Sequence, residues 1–391
     1  MDTPIPAGGD PDAFKDAPLF RELQRIMQSS SGPVNWELAR QAGVAAVVEA
    51  GDDPDPDPQE RHGLEEAVRV AELHVARFTG LEPPPDIAEV QPVRRTTWVN
   101  ANTESLRAVM EPAAQRMADA LGRAGDHALG GEEGSETAAL GGMLSQMGAI
   151  LQGTQIGSVL GFLAQHVMGQ YDIAVPRGGD KALLFVTANI AKFEKDWSLE
   201  PTEFRTFLAI HEVTHRFEFA RPWTTERFAR LVDDYLSGMT IDLEGVQARL
   251  ASLDPSDPDA MERALDGQAL FGPVMDVEQQ LKLARIQAFM AAAEGYGDHV
   301  MHGVGSELLA TYDRIQEAMR RYREGESGDP VFERLLGVEM RREQYEAGRA
   351  FCDAVAAQSD EATLSRMWDS ADAMPSLPEI TEPVLWLSRT V

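Results

Sequence analysis

His211-Glu212-Val213-Thr214-His215 brings together residue types whose spacing matches one chemistry. On a helix, residues four apart lie one above the other, so His211 and His215 can present two imidazoles to a single metal ion. Glu212 falls beside them, within reach of a water on that metal without ligating it. Zn2+ is the ion that such a set suits. A catalytic zinc takes three protein ligands and keeps a fourth position for water, whose pKa it lowers toward neutrality. The reaction expected is attack of that water on a peptide carbonyl, with Glu212 taking the proton as general base and passing it to the leaving amine.

The third ligand must come from elsewhere in the chain. Glu218 and Arg221 stand where a compact H-E-x-x-H-x-x-G-x-x-H pattern would need Gly and His. The remaining histidines are His62, His74, His127, His166, His299 and His302. Glu294 and Asp298 are spaced one helical turn apart, directly after the apolar run Met290 to Ala293 and beside His299. Glu294 is therefore the expected third ligand and His299 the competing one, since both residue types bind zinc. Asp298 would hydrogen-bond the distal nitrogen of a ligand histidine. The tetrahedral oxyanion needs a further donor, and Tyr296, His299, His302 and Tyr312 are the candidates.

These residues depend on helices for their placement. Pro201 suits a first helical turn, and Phe204, Phe207, Leu208, His211 and His215 follow i, i+3, i+4 spacing on one stripe. The spacing predicts a helix over 200–219 and a long one from about Val274 to His302 that carries Glu294. Further helices are expected at 35–50 behind an Asn35 N-cap, at 59–78, from a Thr103 cap with Pro112 kinking it, and at 224–237, 243–250, 261–268, 307–323, 331–356 and 361–369. Gly51 to Pro58, in which Asp and Pro alternate, reads as a solvated linker, and Gly122 to Gly134 as a loop. Residues 137–171 contain no Asp, Glu, Lys or Arg, but polar interruptions make this stretch a buried helix rather than a membrane span. Within it Gly153, Gly157 and Gly161 mark one face for close approach. Tyr171 to Pro176 and Ala182 to Asn189, separated by Arg-Gly-Gly-Asp, predict a β-hairpin, whose second strand could offer an edge to an extended peptide. The fold expected is mainly α with one small sheet.

Composition narrows the partners. With 35 basic against 64 acidic residues, the formal charge is -29. That argues against nucleic acid and against an anionic membrane surface, both of which need clustered Lys and Arg. The single cysteine, Cys352, excludes an internal disulfide and thiolate-ligated zinc, leaving His and carboxylate as ligands. The opening residues lack the basic and apolar regions of a signal peptide, so a cytoplasmic protein acting on a peptide or protein substrate is expected.

Gly153-Thr154-Gln155-Ile156-Gly157, Gly169-Gln170-Tyr171-Asp172, Leu208 to Phe217, and Glu294-Gly295-Tyr296-x-Asp298-His299 together resemble a zincin-like metallopeptidase family found mainly in actinobacteria. The family was long known only as a domain of unknown function, and some of its members are associated with biosynthesis of a deazaflavin cofactor. The resemblance spans about Leu19 to Gln358. It implies a helical zincin-like domain over 19–372 with a possible sub-boundary near 125–135, flanked by tails at 1–18 and 373–391. It also implies a zinc-dependent hydrolase of gluzincin type, with a downstream Glu as ligand. Glu294 lies 79 residues after His215, a longer gap than in compact gluzincins, so the helices between must fold back, as a cover for the cleft. A non-catalytic zinc or scaffold protein, and a partner-binding helical protein with a fortuitous motif, are the competing classes.

Overall fold

The computed structural model describes residues 32–128, 135–172, 176, 182–237, 276–324, 340 and 342–390. In chain order the helices that matter here are α1 (Trp36–Ala50), α2 (Pro58–Thr79), α3 (Arg95–Ala128), α4 (Ser135–Ala164), α5 (Thr187–Asp196), α6 (Pro201–Phe219), α7 (Pro222–Ser237), α8 (Val277–Leu308), α9 (Tyr312–Glu324) and α10 (Arg342–Gln358). Among the described residues, the strands are β1 (Glu89–Val93) and β2 (Ala182–Val186). The protein is mostly helical with a small sheet, and it divides into two compact units. One comprises residues up to Asp53 with Arg95–Gln165, and the other Pro54–Arg94 with His166–Val391. The expected sub-boundary near 125–135 is not where the division falls. The expected tail 1–18 and the helices 243–250 and 261–268 lie outside the described residues.

The smaller unit packs α1, α3 and α4 together. Asn35 caps α1 as expected, its side chain accepting from Leu38 N–H at 3.0 Å. The glycines of α4 meet α1 so closely that a Cβ on Gly157 would stand 2.5 Å from the Ala39 carbonyl oxygen. Helix α3 begins eight residues before Thr103, because Asp53 of the acidic linker caps it. The Asp53 carboxylate accepts from Arg95 N–H at 2.8 Å and Thr96 N–H at 3.1 Å, filling donors that the first turn leaves orphaned. Thr103 is instead interior, its hydroxyl bonded back to the Val99 carbonyl at 2.8 Å. The helix also continues through Pro112, and through most of the segment expected as a loop. Among the described residues, no helix is long and apolar enough to cross a membrane.

The larger unit holds the sheet, and here the hairpin expectation is corrected. β1 and β2 pair in parallel, from Glu89 opposite Ala182 to Val93 opposite Val186, across a connection that carries residues 95–165. A parallel pair needs such a crossover. Tyr171 and Asp172 form bends rather than a strand, since the Asp172 carboxylate turns back to accept from the N–H groups of Met168 and Gly169. The second run also stops early: α5 starts at Thr187, and Leu183 to Val186 are buried. Around the sheet, α6 packs against α2, α7 and α8, and α8 against α10. Residues 373–391, expected as a tail, carry two short helices, Leu377–Thr381 and Pro383–Thr390, and bury Trp386 against Phe351.

Candidate metal centre

Helix α6 starts as its sequence dictates. Pro201 occupies the first turn, and the Glu200 carboxylate accepts from Glu203 N–H at 2.7 Å, which favours the helix end both as a cap and through the dipole. Phe204, Ile210, Val213 and Phe217 are wholly buried, so the helix is fixed on the core through its apolar stripe. Arg216 ties it sideways to Glu72 of α2 at 2.8 Å and to the Asp86 carbonyl, in the segment after that helix, at 2.5 Å.

On this anchored helix the rings of His211 and His215 lie edge to face, centroids 4.6 Å apart. Each has a buried Nε2 with no hydrogen-bond partner. Buried polar atoms are rarely left unpaired, because the desolvation is uncompensated. Burial pushes His211 down to about 3, helped by the charge of His215, and it also lowers His215. Both imidazoles are therefore neutral at ordinary pH, the form that ligates metal. The distal Nδ1 of His215 pairs with Glu218 Oε2 at 2.8 Å, both side chains fully buried. With the proton on Nδ1, the lone pair of Nε2 points away from Glu218, as in carboxylate–histidine–metal arrangements. Phe219 stacks on the same ring at 5.7 Å.

Glu212, buried on the same helix, accepts from two main-chain donors, Gln170 N–H at 2.9 Å and Tyr171 N–H at 3.0 Å. A carboxylate oxygen of Asp172 and one of Glu212 lie with a nitrogen of His211 in a group whose members are all within 4.8 Å of one another. Glu294 is not in that group. It sits on α8 one turn before Gly297, where a Cβ would come 3.2 Å from His215 Nε2, so its face of the helix is the one turned to the histidines. Burial pushes the Glu294 carboxyl up to about 7, against the opposing pull of His215 and Arg323.

The other candidates are placed elsewhere. Asp298 faces Arg323 at 3.8 Å, while Glu218 holds the distal nitrogen of His215. His299 has both nitrogens on carboxylates, Nδ1 with Asp353 at 2.6 Å and Nε2 with Glu361 at 3.0 Å. Tyr296 is buried with its hydroxyl on Ser365 Oγ at 2.9 Å. His302 is exposed and packs its ring on Tyr312 at 5.8 Å, and the Tyr312 hydroxyl accepts from Gln316 at 3.1 Å. Glu218, Asp172 and the amides of Gln170 and Tyr171 were not among the expected site residues. Glu218 was findable, being an acid one turn past the second histidine in the middle of an apolar stripe. The amides, being main chain, do not depend on the identity of the side chains at 170 and 171.

The sequence profile of a family described as zincin-like metallopeptidase matches residues 34–387. A crystal structure from Chloroflexus aurantiacus, described as a proposed hydrolase with a novel fold, is similar at a TM-score of 0.64 and 28% identity, over 91% of this chain and 98% of that one. No curated protein matches the chain.

Proposed function

The chain belongs to the zincin-like metallopeptidase family, and from that premise we propose that it is a zinc-dependent peptidase in which Glu212 is the general base. The observation that carries this reading is the pair of buried, unpartnered Nε2 atoms on one helix, with a buried carboxylate between them in sequence. His and carboxylate donors suit Zn2+, so the residues present fit the ion. His211, His215 and Glu294 would hold it. The proximity of Asp172 to His211 supports Asp172 as the competing carboxylate. When bound, zinc supplies Lewis acidity, lowering the pKa of water and polarising a carbonyl.

The chain's own residues account for the rest. Glu218 orients His215. Glu212 takes the proton of the attacking water on its carboxylate and delivers it to the leaving nitrogen. The N–H groups of Gln170 and Tyr171 hold that carboxylate in place. The similarity to a proposed hydrolase supports hydrolysis, and the family supports a peptide or protein substrate. A retained base weighs against a purely structural zinc site, which has no use for one.

The test is zinc content by mass spectrometry, together with hydrolysis of a broad peptide library, for wild type and Glu212→Ala. The expected result is one zinc per chain in both, with turnover in the variant reduced by about 10³-fold or more, a general base alone being worth about 10²–10⁴. Undiminished turnover in Glu212→Ala would sink the reading.

A further inference from the structure

The general base is held by main-chain donors. Glu212 Oε2 accepts from both Gln170 and Tyr171 N–H, and Oε1 lies 3.2 Å from the Tyr171 nitrogen. A floppy loop would aim a carboxylate poorly, but the residues just before these donors are pinned carbonyl by carbonyl. His166 O accepts from the Tyr322 hydroxyl at 3.0 Å, Val167 O from Asn189 Nδ2 at 2.5 Å, and Met168 O from Val186 N–H at 2.9 Å. The three donors come from α9, α5 and β2, so three separate elements fix three consecutive peptide units. Tyr322 is itself held edge-on against Phe193 at 5.1 Å. Beyond the donors, the Asp172 carboxylate closes the turn on Met168 and Gly169 N–H.

Gly169 sits where this frame meets the base. A Cβ there would lie 2.0 Å from Glu212 Oε1 and 2.5 Å from its Cδ, distances no side chain can tolerate. The carboxylate and the backbone are in direct contact, and only glycine leaves room for it.

We propose that His166 to Asp172 is a rigid main-chain clamp on Glu212, and that Gly169 is a positioning residue for the proton transfer. The clamp rests on the reading of Glu212 as the base. Its three pins set it apart from a lid, which would be free to lift. Its value is directional: a misplacement of about 1 Å at a reacting group can cost about 10²-fold in rate.

Two measurements test it. The first needs no turnover: amide hydrogen exchange at Gln170 and Tyr171 in wild type and Glu212→Ala. Loss of the acceptor should speed exchange at these two amides by about tenfold or more, roughly what losing one hydrogen bond of about 1.4 kcal/mol allows; unchanged protection overturns the clamp. The second is a cycle of Gly169→Ala, Glu212→Asp and the double variant. Gly169→Ala should lower kcat by about 10²-fold, with KM within about threefold and full zinc content. Aspartate, one methylene shorter, draws back from the added methyl, so the double variant should lose less than the product of the two single losses. Multiplicative losses, or wild-type kcat in Gly169→Ala, overturn the proposal. Activity surviving in Glu212→Ala would remove the peptidase reading, while the exchange data would still decide whether the clamp exists.

Discussion

His215 and His299 are buried imidazoles in the same unit, on the packed helices α6 and α8, and they show two opposite uses of one side chain. His215 has Nδ1 on Glu218 and nothing on Nε2, and burial drives it toward the neutral form. His299 is also pulled down by burial, but the hydrogen bonds it donates to Glu361 and Asp353, and then their charges, win and raise it. The first is a base with a lone pair left over. The second has its protonated form favoured by two carboxylates, and ties α8 to α10 and to the short Glu361–Ser365 helix. What makes a buried histidine ready for metal is therefore one nitrogen held and the other deserted. Nearness to acidic residues is common to both and distinguishes neither.

The comparison is broken most directly by removing the acids. Glu218→Gln should weaken zinc binding by about 10- to 100-fold, the range for losing an outer carboxylate on a ligand histidine. Asp353→Asn should leave zinc affinity unchanged. Competition against a fluorescent zinc chelator measures both, and equal effects would mean that the two histidines are not differently employed.

Next in size is a pH effect that separates Glu294 from Asp172. Without metal, burial holds the Glu294 proton up to about pH 7, and a proton there competes with zinc. Apparent zinc affinity of wild type should then fall about tenfold per unit as pH drops below about 7. His211, already pushed down to about 3, adds no slope in that range. Glu294→Gln should bind zinc more weakly but with that slope removed. A slope that survives the substitution, together with loss of zinc in Asp172→Asn, would assign the third position to Asp172.

How legible all this is in the sequence follows the length scale of each feature. His211, Glu212 and His215 are readable because helical geometry alone brings them together, and Pro201 and the aromatic stripe announce the helix. Glu218 obeys the same rule but invites no attention once the compact third-ligand pattern fails. His299 looks like a ligand because the acids that claim it, Asp353 and Glu361, lie 54 and 62 residues away. The clamp is illegible for a different reason: its donors are peptide groups, and only Gly169 leaves a trace. The sheet pairing is hidden because β1, with Pro92 inside it, lacks an obvious strand signature and finds its partner across a whole crossover. Thr103 looks like a cap in the sequence because the real one, Asp53, is 42 residues from Arg95.

The smallest expected effect concerns His299 itself. His299→Gln keeps the ring's approximate volume and loses the cation, so zinc content and kcat should not change. Its cost should appear in stability, at about 1–2 kcal/mol, since Asp353 and Glu361 are partly exposed and solvent screens the pairs. The pH dependence carries the sign. The folded-state pKa of His299 lies above its ordinary value near 6.5, so the folded protein holds this proton where the unfolded chain has released it. The stabilisation is fully present below about pH 6.5 and is lost as pH rises through the folded value. Thermal midpoints of wild type and His299→Gln should thus differ most at pH 6 and converge on the alkaline side. A gap that widens with pH would mean that His299 is buried neutral, and its contrast with His215 would then fall away.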